Sequence, residues 1–391
     1  MPSICALETC CRVPFTQARP QTAAPVSHPR FRTKSVPLIG TFCGKAIHTS
    51  KVARNNKNSV RVRAELEEVD PTTGEVLTGT SARAPLASET VQVGGLTWAY
   101  RTSNPEESIA KEAGEEPVIL LHGIGSSSYS YREVVVQLAS SGYRVYAPDF
   151  IGHGNSSKPS PAEFAYDEES YKRSIGAFID AISPEKPVRL VVQGYILAQY
   201  ALLWALDNPD RIDKLVILNT PLSTKAKLPP YLAPYKNPLP FLRPKGTFAA
   251  DMHNAGGSAY VMQRRDADVY MQPYVDDAGA NEALAAALDK CDLKALLEKV
   301  DEGFRSWRKD TLVLFGGSDR YLEQKSVFDF LETKRTCIKL QTFEAKVGHM
   351  PQEDYPEVLC NRLVDYYMGR EQRKVSPGTR IPGNFTDSPS A

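Results

Sequence analysis

The chain has 391 residues, with 47 Lys or Arg against 46 Asp or Glu, long enough for one large α/β domain carrying an insertion or for two ordinary domains. Charge is unevenly spread: up to Arg63 there are eleven basic residues and one acid, Glu8, leaving 36 of the 47 basic and 45 of the 46 acidic residues beyond it. An acidic remainder speaks against nucleic acid, or an anionic membrane surface, as the main partner.

From Met1 to Ala64 the chain is rich in Arg, Ser, Thr and Pro, nearly free of acids, and lacks a continuous apolar core. That composition fits an organelle transit peptide better than a secretory signal. The stretch SVRVRAE, ending on Ala64 and Glu65, reads as a plastid processing site, so the protein is expected in the chloroplast, in the stroma or peripheral to a plastid membrane. Nothing approaches the roughly 18 uninterrupted apolar residues of a membrane-spanning helix. Of seven cysteines, three follow the expected cut, Cys291, Cys337 and Cys360. Scattered and without a CxxC pair, they support neither a disulfide framework nor a zinc site.

Residues 65–90 are polar and turn-rich, a linker. Val91–Val93 and Leu96–Tyr100 flank Gly94-Gly95, a two-residue hairpin signal. Pro117–His122 is a short continuous apolar run of the kind a buried central strand needs, and it feeds a loop of Gly and Ser. Helical spacing at Tyr131–Leu138, a strand at Tyr143–Ala147 and an amphipathic helix at Tyr171–Ile182 follow. Val188–Trp204 then joins an apolar strand-like run to an apolar helical one, and that helix is expected to stop near Asn208-Pro209. Lys214–Leu218 is another strand. This alternation is that of a parallel sheet with crossover helices.

At Asn219 the alternation breaks. Six prolines fall between Leu228 and Pro244, with helical patterns at Ser258–Tyr270 and Asn281–Val300. The strand pattern returns at Thr311–Phe315 and Cys337–Phe343, and Glu353–Met368 reads as a closing helix. Expected, then, are a core at 91–222 and 309–369, a helical cap at 223–308 over the carboxyl ends of the strands, and a disordered tail at 370–391.

The abrupt strand-to-helix turn at Gln193-Gly194-Tyr195 is where α/β-hydrolases hold a nucleophile, usually within Gly-x-Ser-x-Gly. Laid over that motif without gaps, Tyr195 takes the serine position, Gln193 the first glycine and Leu197 the second. Shifted by one, Gly194 takes the nucleophile position. Both registers stay open, and neither supplies Ser, Cys or Asp.

Four separated segments share one resemblance. Leu121-His122-Gly123 with Ser127–Arg132, Ala147–Pro159, Leu312–Gly316 with Asp319, and Gly348–Glu353 are similar, in order and spacing, to the loops of capped α/β-hydrolases. The branch they resemble is that of haloalkane dehalogenases and epoxide hydrolases, here in a plant plastid form. The resemblance implies an α/β-hydrolase fold, with a mostly parallel central sheet flanked by helices and an inserted helical cap. It also implies His349 as catalytic base, Asp319 as its acid, and an oxyanion site built from Gly123, Ile124 and Ile196. A base of this type needs a carboxylate to fix its tautomer, although Asp319 could equally cap the helix after its strand.

Tyr195 would be a poor nucleophile, because a phenol has a pKa near 10; Gly194 offers no side chain. His122, Gln193, Tyr231, Phe241 and Trp307 are candidate pocket residues, with Tyr260 and Tyr270 possible additions. No metal-ligand cluster or dinucleotide fingerprint suggests a cofactor. The expected function is a plastid protein that binds a small apolar ligand or a partner in a capped pocket without standard hydrolysis. The alternative is an active ester, haloalkane or epoxide hydrolase using His349 and Asp319 on water, or recruiting Ser126, Ser127 or Tyr195.

Overall fold

The computed structural model describes residues 85–105, 114–256, 262–333, 337–343 and 346–370. The transit-peptide segment, nearly all of the linker, Tyr260 and the tail beyond Arg370 lie outside the described residues. Eight strands form one sheet in the order β1-β2-β4-β3-β5-β6-β7-β8. β1 (Ala87–Val93) and β2 (Leu96–Ser103) make the hairpin, and both glycines of its turn sit at positive φ, 59° and 80°, as a primed turn requires. β2 pairs antiparallel with β4 (Val145–Pro148); β3 (Val118–Leu121), β4, β5 (Val188–Gln193), β6 (Ile212–Leu218), β7 (Thr311–Phe315) and β8 (Ile338–Thr342) are parallel. β3, β5 and β7 are buried at every position, and the apolar runs Val118–Leu121, Leu190–Val192 and Leu312–Phe315 make up most of them, as central strands covered on both faces demand.

Helices α1 (Arg132–Ser140), α2 (Glu168–Ile182) and α3 (Leu197–Asp207) make the first crossovers. Asp167 caps α2 by accepting the Ser170 N–H at 2.9 Å. α3 is apolar on nearly every side, and Leu197 through Ala205 are all buried. Each such large apolar side chain contributes about 1.5–3 kcal/mol, so α3 is a firm anchor for the turn that precedes it.

Between β6 and β7 come 3-10 turns at Pro230–Lys236 and Pro240–Leu242, then α4 (Ala249–Gly256), α5 (Arg264–Asp276), α6 (Ala278–Lys290) and α7 (Leu293–Ser306). The helical pattern expected over Asn281–Val300 is thus two helices. Asp292 divides them by accepting the Ala295 N–H at 3.1 Å, starting a new helix as N-cap residues do. The expected closing helix also divides, into α9 (Pro351–Asp354) and α10 (Pro356–Tyr367) after α8 (Gln324–Thr333), because Pro356 disfavours helix at Tyr355.

Polar ties hold the inserted segment on the core. Thr247 hydrogen-bonds the Gly125 carbonyl, Tyr270 bonds Glu353, and Tyr129 donates to Asp266 at 2.8 Å. Arg132 pairs with Glu353 at 2.7 Å, and His253 Nε2 lies 2.9 Å from Asp354 Oδ1 with both side chains fully buried.

Candidate functional site

Asp319 follows β7, and its two carboxylate oxygens divide the work. Oδ1 accepts the N–H groups of Tyr321 (2.8 Å) and Leu322 (3.2 Å), fixing the turn; Oδ2 accepts Asn219 Nδ2 (2.9 Å) and His349 Nδ1 (2.7 Å). Asp319 does not cap the next helix, which begins at Gln324; one of its oxygens fixes the turn after β7 while the other orients the base. Burial by itself would raise the Asp319 carboxyl, but the His349 imidazole and the hydrogen bonds from His349, Asn219 and Tyr321 hold it below the ordinary carboxylate range. With Nδ1–H committed to Asp319, His349 turns the lone pair of Nε2 away from it, and that buried atom has no hydrogen-bond partner. The loop bearing His349 is itself braced: Gly348 N–H donates to Asp354 Oδ2 at 2.8 Å, and Gln193 Nε2 donates to the His349 carbonyl at 2.8 Å.

Opposite Nε2 stands the turn between β5 and α3. A Cβ built on Gly194 would lie 3.8 Å from His349 Nε2, whereas the Tyr195 hydroxyl points elsewhere and donates to the Tyr321 carbonyl at 2.8 Å. The register with Gly194 facing the base is therefore the one the geometry carries. Tyr195, one of the two residues the open registers offered, does not face the base: burial, then Asp319 and Tyr321, push its phenol well above its usual pKa, and its proton is donated to a backbone carbonyl.

In that register the second glycine of Gly-x-Ser-x-Gly falls on Ile196. Its backbone is at φ 66° and ψ −70°, and Leu197 N–H reaches the Tyr195 carbonyl at 2.8 Å. This is a γ-turn, rare and strained for a β-branched residue, costing of order 1–3 kcal/mol. The left-handed backbone at Ile196 gives a physical reason why the motif has glycine there.

Two of the expected oxyanion donors are engaged. Ile124 N–H donates to the Tyr195 carbonyl at 3.0 Å, and Ile196 N–H donates to the Gln199 side chain, which also bonds the Pro221 carbonyl at 2.9 Å. The third assigned residue, Gly123, contributes by close approach: a Cβ there would meet Tyr195 N at 2.9 Å, Gln193 O at 3.0 Å and Gly194 Cα at 3.0 Å. Turn and loop pack glycine against glycine.

The candidate pocket residues separate. Tyr231 stands near the dyad in an aromatic group: its ring is 4.9 Å from Tyr321 and 5.0 Å from Phe248, while the Tyr195 ring is 5.4 Å from the His349 ring. Gln193 braces the His349 loop rather than presenting a free amide. His122 is not a pocket residue, since Nδ1–H donates to the Gly123 carbonyl at 2.8 Å and Nε2 accepts the Phe150 N–H at 3.1 Å. Phe241 is 80% exposed on the outside of the protein. Trp307 is buried beside Phe304 and donates to Thr311 Oγ1 at 2.7 Å, at the amino end of β7 and away from the site. Tyr270 bonds Glu353 at the junction with the core. Ser126 is buried with its hydroxyl unpartnered. An open cleft of about 420 Å3, lined by Arg101, Ser127, Tyr129, Asp149, Lys158 and Gln272 among others, has none of Gly194, Asp319 or His349 in its wall.

Sequence reading missed Asn219, Gln199 and Phe248. Gln199 had a signal, its place three residues into a helix after a turn, where a side chain reaches back to the N-cap backbone. Asn219 stood at the break in alternation, at the end of β6. Among the described residues no group of three or more His, Cys, Asp or Glu could hold a metal ion, and no helix is long and apolar enough to cross a membrane.

The fold has relatives among known proteins. A haloalkane dehalogenase from Agrobacterium fabrum is 41% identical over 96 residues, which is 25% of this chain and 30% of that protein. Epoxide hydrolase A from Mycobacterium tuberculosis is 34% identical over 122 residues, 31% of this chain and 37% of that protein. The chain thus spans about a third of the length of these curated relatives. The crystal structure of a haloalkane dehalogenase from Bradyrhizobium elkani USDA94 superposes with a TM-score of 0.59 at 18% identity, covering 73% of this chain and 98% of that one, a likeness of fold. Residues 116–356 match the family model described as the alpha/beta hydrolase fold, and with well over half of its length so matched the chain belongs to the α/β-hydrolase fold family.

Proposed function

We propose that this α/β-hydrolase-fold protein performs no nucleophile-dependent hydrolysis and holds a small apolar ligand, or a partner's apolar group, within its capped interior. The observation that carries this reading is the complete His349–Asp319 pair whose free Nε2 faces a glycine. A serine mechanism needs a hydroxyl at that place, and donors free to receive an oxyanion. Gly194 supplies no hydroxyl, and the N–H of Ile124, one of the donors such a mechanism would use, is engaged by the Tyr195 carbonyl. Support for a ligand comes from the aromatic surroundings and from three buried polar atoms without partners, His349 Nε2, Ser126 Oγ and Tyr231 Oη, since buried polar groups are ordinarily satisfied.

The orientation of the dyad favours a second reading, in which His349 takes a proton from water directly and the protein is an ester, haloalkane or epoxide hydrolase. The test is a turnover screen with short acyl esters, haloalkanes and epoxides, run on the wild type and on His349→Ala, together with solvent extraction of the purified protein. No turnover and a co-purifying apolar compound are the expected results; turnover that disappears in His349→Ala would establish the second reading instead. The chloroplast is the proposed location, on the strength of the basic, acid-poor segment before Glu65. Fusion of residues 1–64 to a fluorescent protein should label plastids, and cytosolic fluorescence would refute that address.

A further inference from the structure

The candidate pocket residue that the structure places outside, Phe241, belongs to an unusual piece of surface. Within four residues Leu239, Phe241 and Leu242 are 48%, 80% and 55% exposed. Pro238 and Pro240 between and before them are exposed as well. Contiguous apolar exposure of this kind marks a contact surface more often than isolated apolar residues do.

The protrusion is ordered. Residues Pro240–Leu242 form a 3-10 turn in which Leu242 N–H bonds the Leu239 carbonyl at 3.0 Å and Arg243 N–H bonds the Pro240 carbonyl at 3.1 Å. Asn237 ties the base of the turn, its side chain accepting the Leu239 N–H at 2.9 Å and its carbonyl accepting Arg243 Nε at 2.7 Å. Backbone already fixed by proline and these bonds loses little entropy when it is buried.

Charge says what would bury it. From residue 225 to residue 245 there are five basic side chains, Lys225, Lys227, Lys236, Arg243 and Lys245, and no acid, in a chain whose sequence after Arg63 is acidic. Lys236, Arg243 and Lys245 flank the apolar turn directly. Arg243 is largely covered and its charge is balanced by Asp289 at 2.9 Å; Lys236, whose ammonium also donates to the Cys291 carbonyl at 3.3 Å, and Lys245 are exposed. The net acidity of the chain does not cancel this patch, because charges farther off than about 10 Å are largely screened at 0.1 M salt. Apolar side chains at a tip with basic ones around its base is the pattern of an interfacial anchor.

We propose that residues 236–245 are a membrane-docking element: Leu239, Phe241 and Leu242 enter the interfacial layer of an anionic bilayer, and Lys236 and Lys245 meet its lipid headgroups. This holds whether or not the dyad turns over a substrate.

The test places a reporter at the tip. In the full chain, Phe241→Trp adds one exposed indole to three buried ones, Trp98, Trp204 and Trp307. With vesicles of mixed phosphatidylglycerol and phosphatidylcholine its emission should shift to the blue and be quenched by brominated acyl chains, and should do neither with phosphatidylcholine alone. The Phe241→Asp/Leu242→Asp double variant should partition onto the mixed vesicles about tenfold more weakly or worse, with an unchanged melting temperature. Three results would overturn the proposal. The first is no association with anionic vesicles. The second is association with no response at residue 241, which would assign binding elsewhere, the basic N-terminal residues included. The third is a response that follows protein concentration without lipid, which would mark a contact between two copies.

Discussion

The two halves of the candidate site have been treated differently by the sequence. On the side of β7 and the His349 loop every group needed to present a base is in place: Asp319 holds Nδ1, Asn219 supports Asp319, and Gln193 and Asp354 brace the loop. On the side of β5 and α3 the turn is strained and carries no nucleophilic side chain at its apex. Gly194 faces the base, Ile196 occupies a left-handed backbone position, and two candidate oxyanion donors bond within the protein. The contrast teaches that a turn's geometry and its reactivity are separable. A strand running into a fully buried helix enforces the bend whatever residue sits at its apex.

The largest expected effect lies on the complete side. Asp319→Ala leaves the buried His349 and Asn219 side chains without their shared acceptor, removing two hydrogen bonds to a charged group that contribute about 1.5–3 kcal/mol each; urea denaturation should show it. A loss below about 1 kcal/mol would mean that the dyad is loosely held.

Acid should act first in the loop after β4, away from the dyad. Burial, then the neighbouring His122, push His153 down to about 3 from an ordinary value of 6.5. Its folded form therefore binds fewer protons than the unfolded chain between those values, and stability falls as pH drops from about 6.5 towards 3, by about 4 kcal/mol from this residue. Asp319, with its carboxyl held below 3.8, keeps its contribution above that pH and loses it only as the pH falls further. A series of denaturation midpoints against pH should slope in the upper window, and His153→Gln should flatten it. A flat wild-type profile from pH 6.5 to 4 would contradict the burial argument.

Gly123→Ala probes the glycine-on-glycine contact. Its new methyl meets only backbone, at 2.9 to 3.0 Å, so about 2 kcal/mol of destabilisation is expected, again by denaturation. The smallest effect is that of Tyr195→Phe, about 1 kcal/mol for the hydrogen bond lost to the Tyr321 carbonyl. A variant as stable as the wild type would show that bond to be dispensable.

Much of the sheet was legible because buried parallel strands carry runs of successive apolar residues, as Val118–Leu121, Leu190–Val192 and Leu312–Phe315 do. The dyad was legible because His349 and Asp319 stand in loops with distinctive flanks. Peptide orientation was not: nothing in residue type says that Ile124 N–H turns towards Tyr195 or that Gln199 folds back onto Ile196. Nor does an aromatic residue announce its side. Phe241 and Trp307 share the composition of a pocket lining, yet one is held out on a proline turn and the other sits against Thr311 at the opposite end of a strand.

Labelling with a fluorophosphonate most directly tests whether the base faces an empty apex. The wild type should remain unlabelled, and Gly194→Ser should gain a label at residue 194 that vanishes when His349→Ala is added. A label on any serine of the wild-type protein that disappears with His349→Ala would mean that a working nucleophile stands beside the imidazole after all.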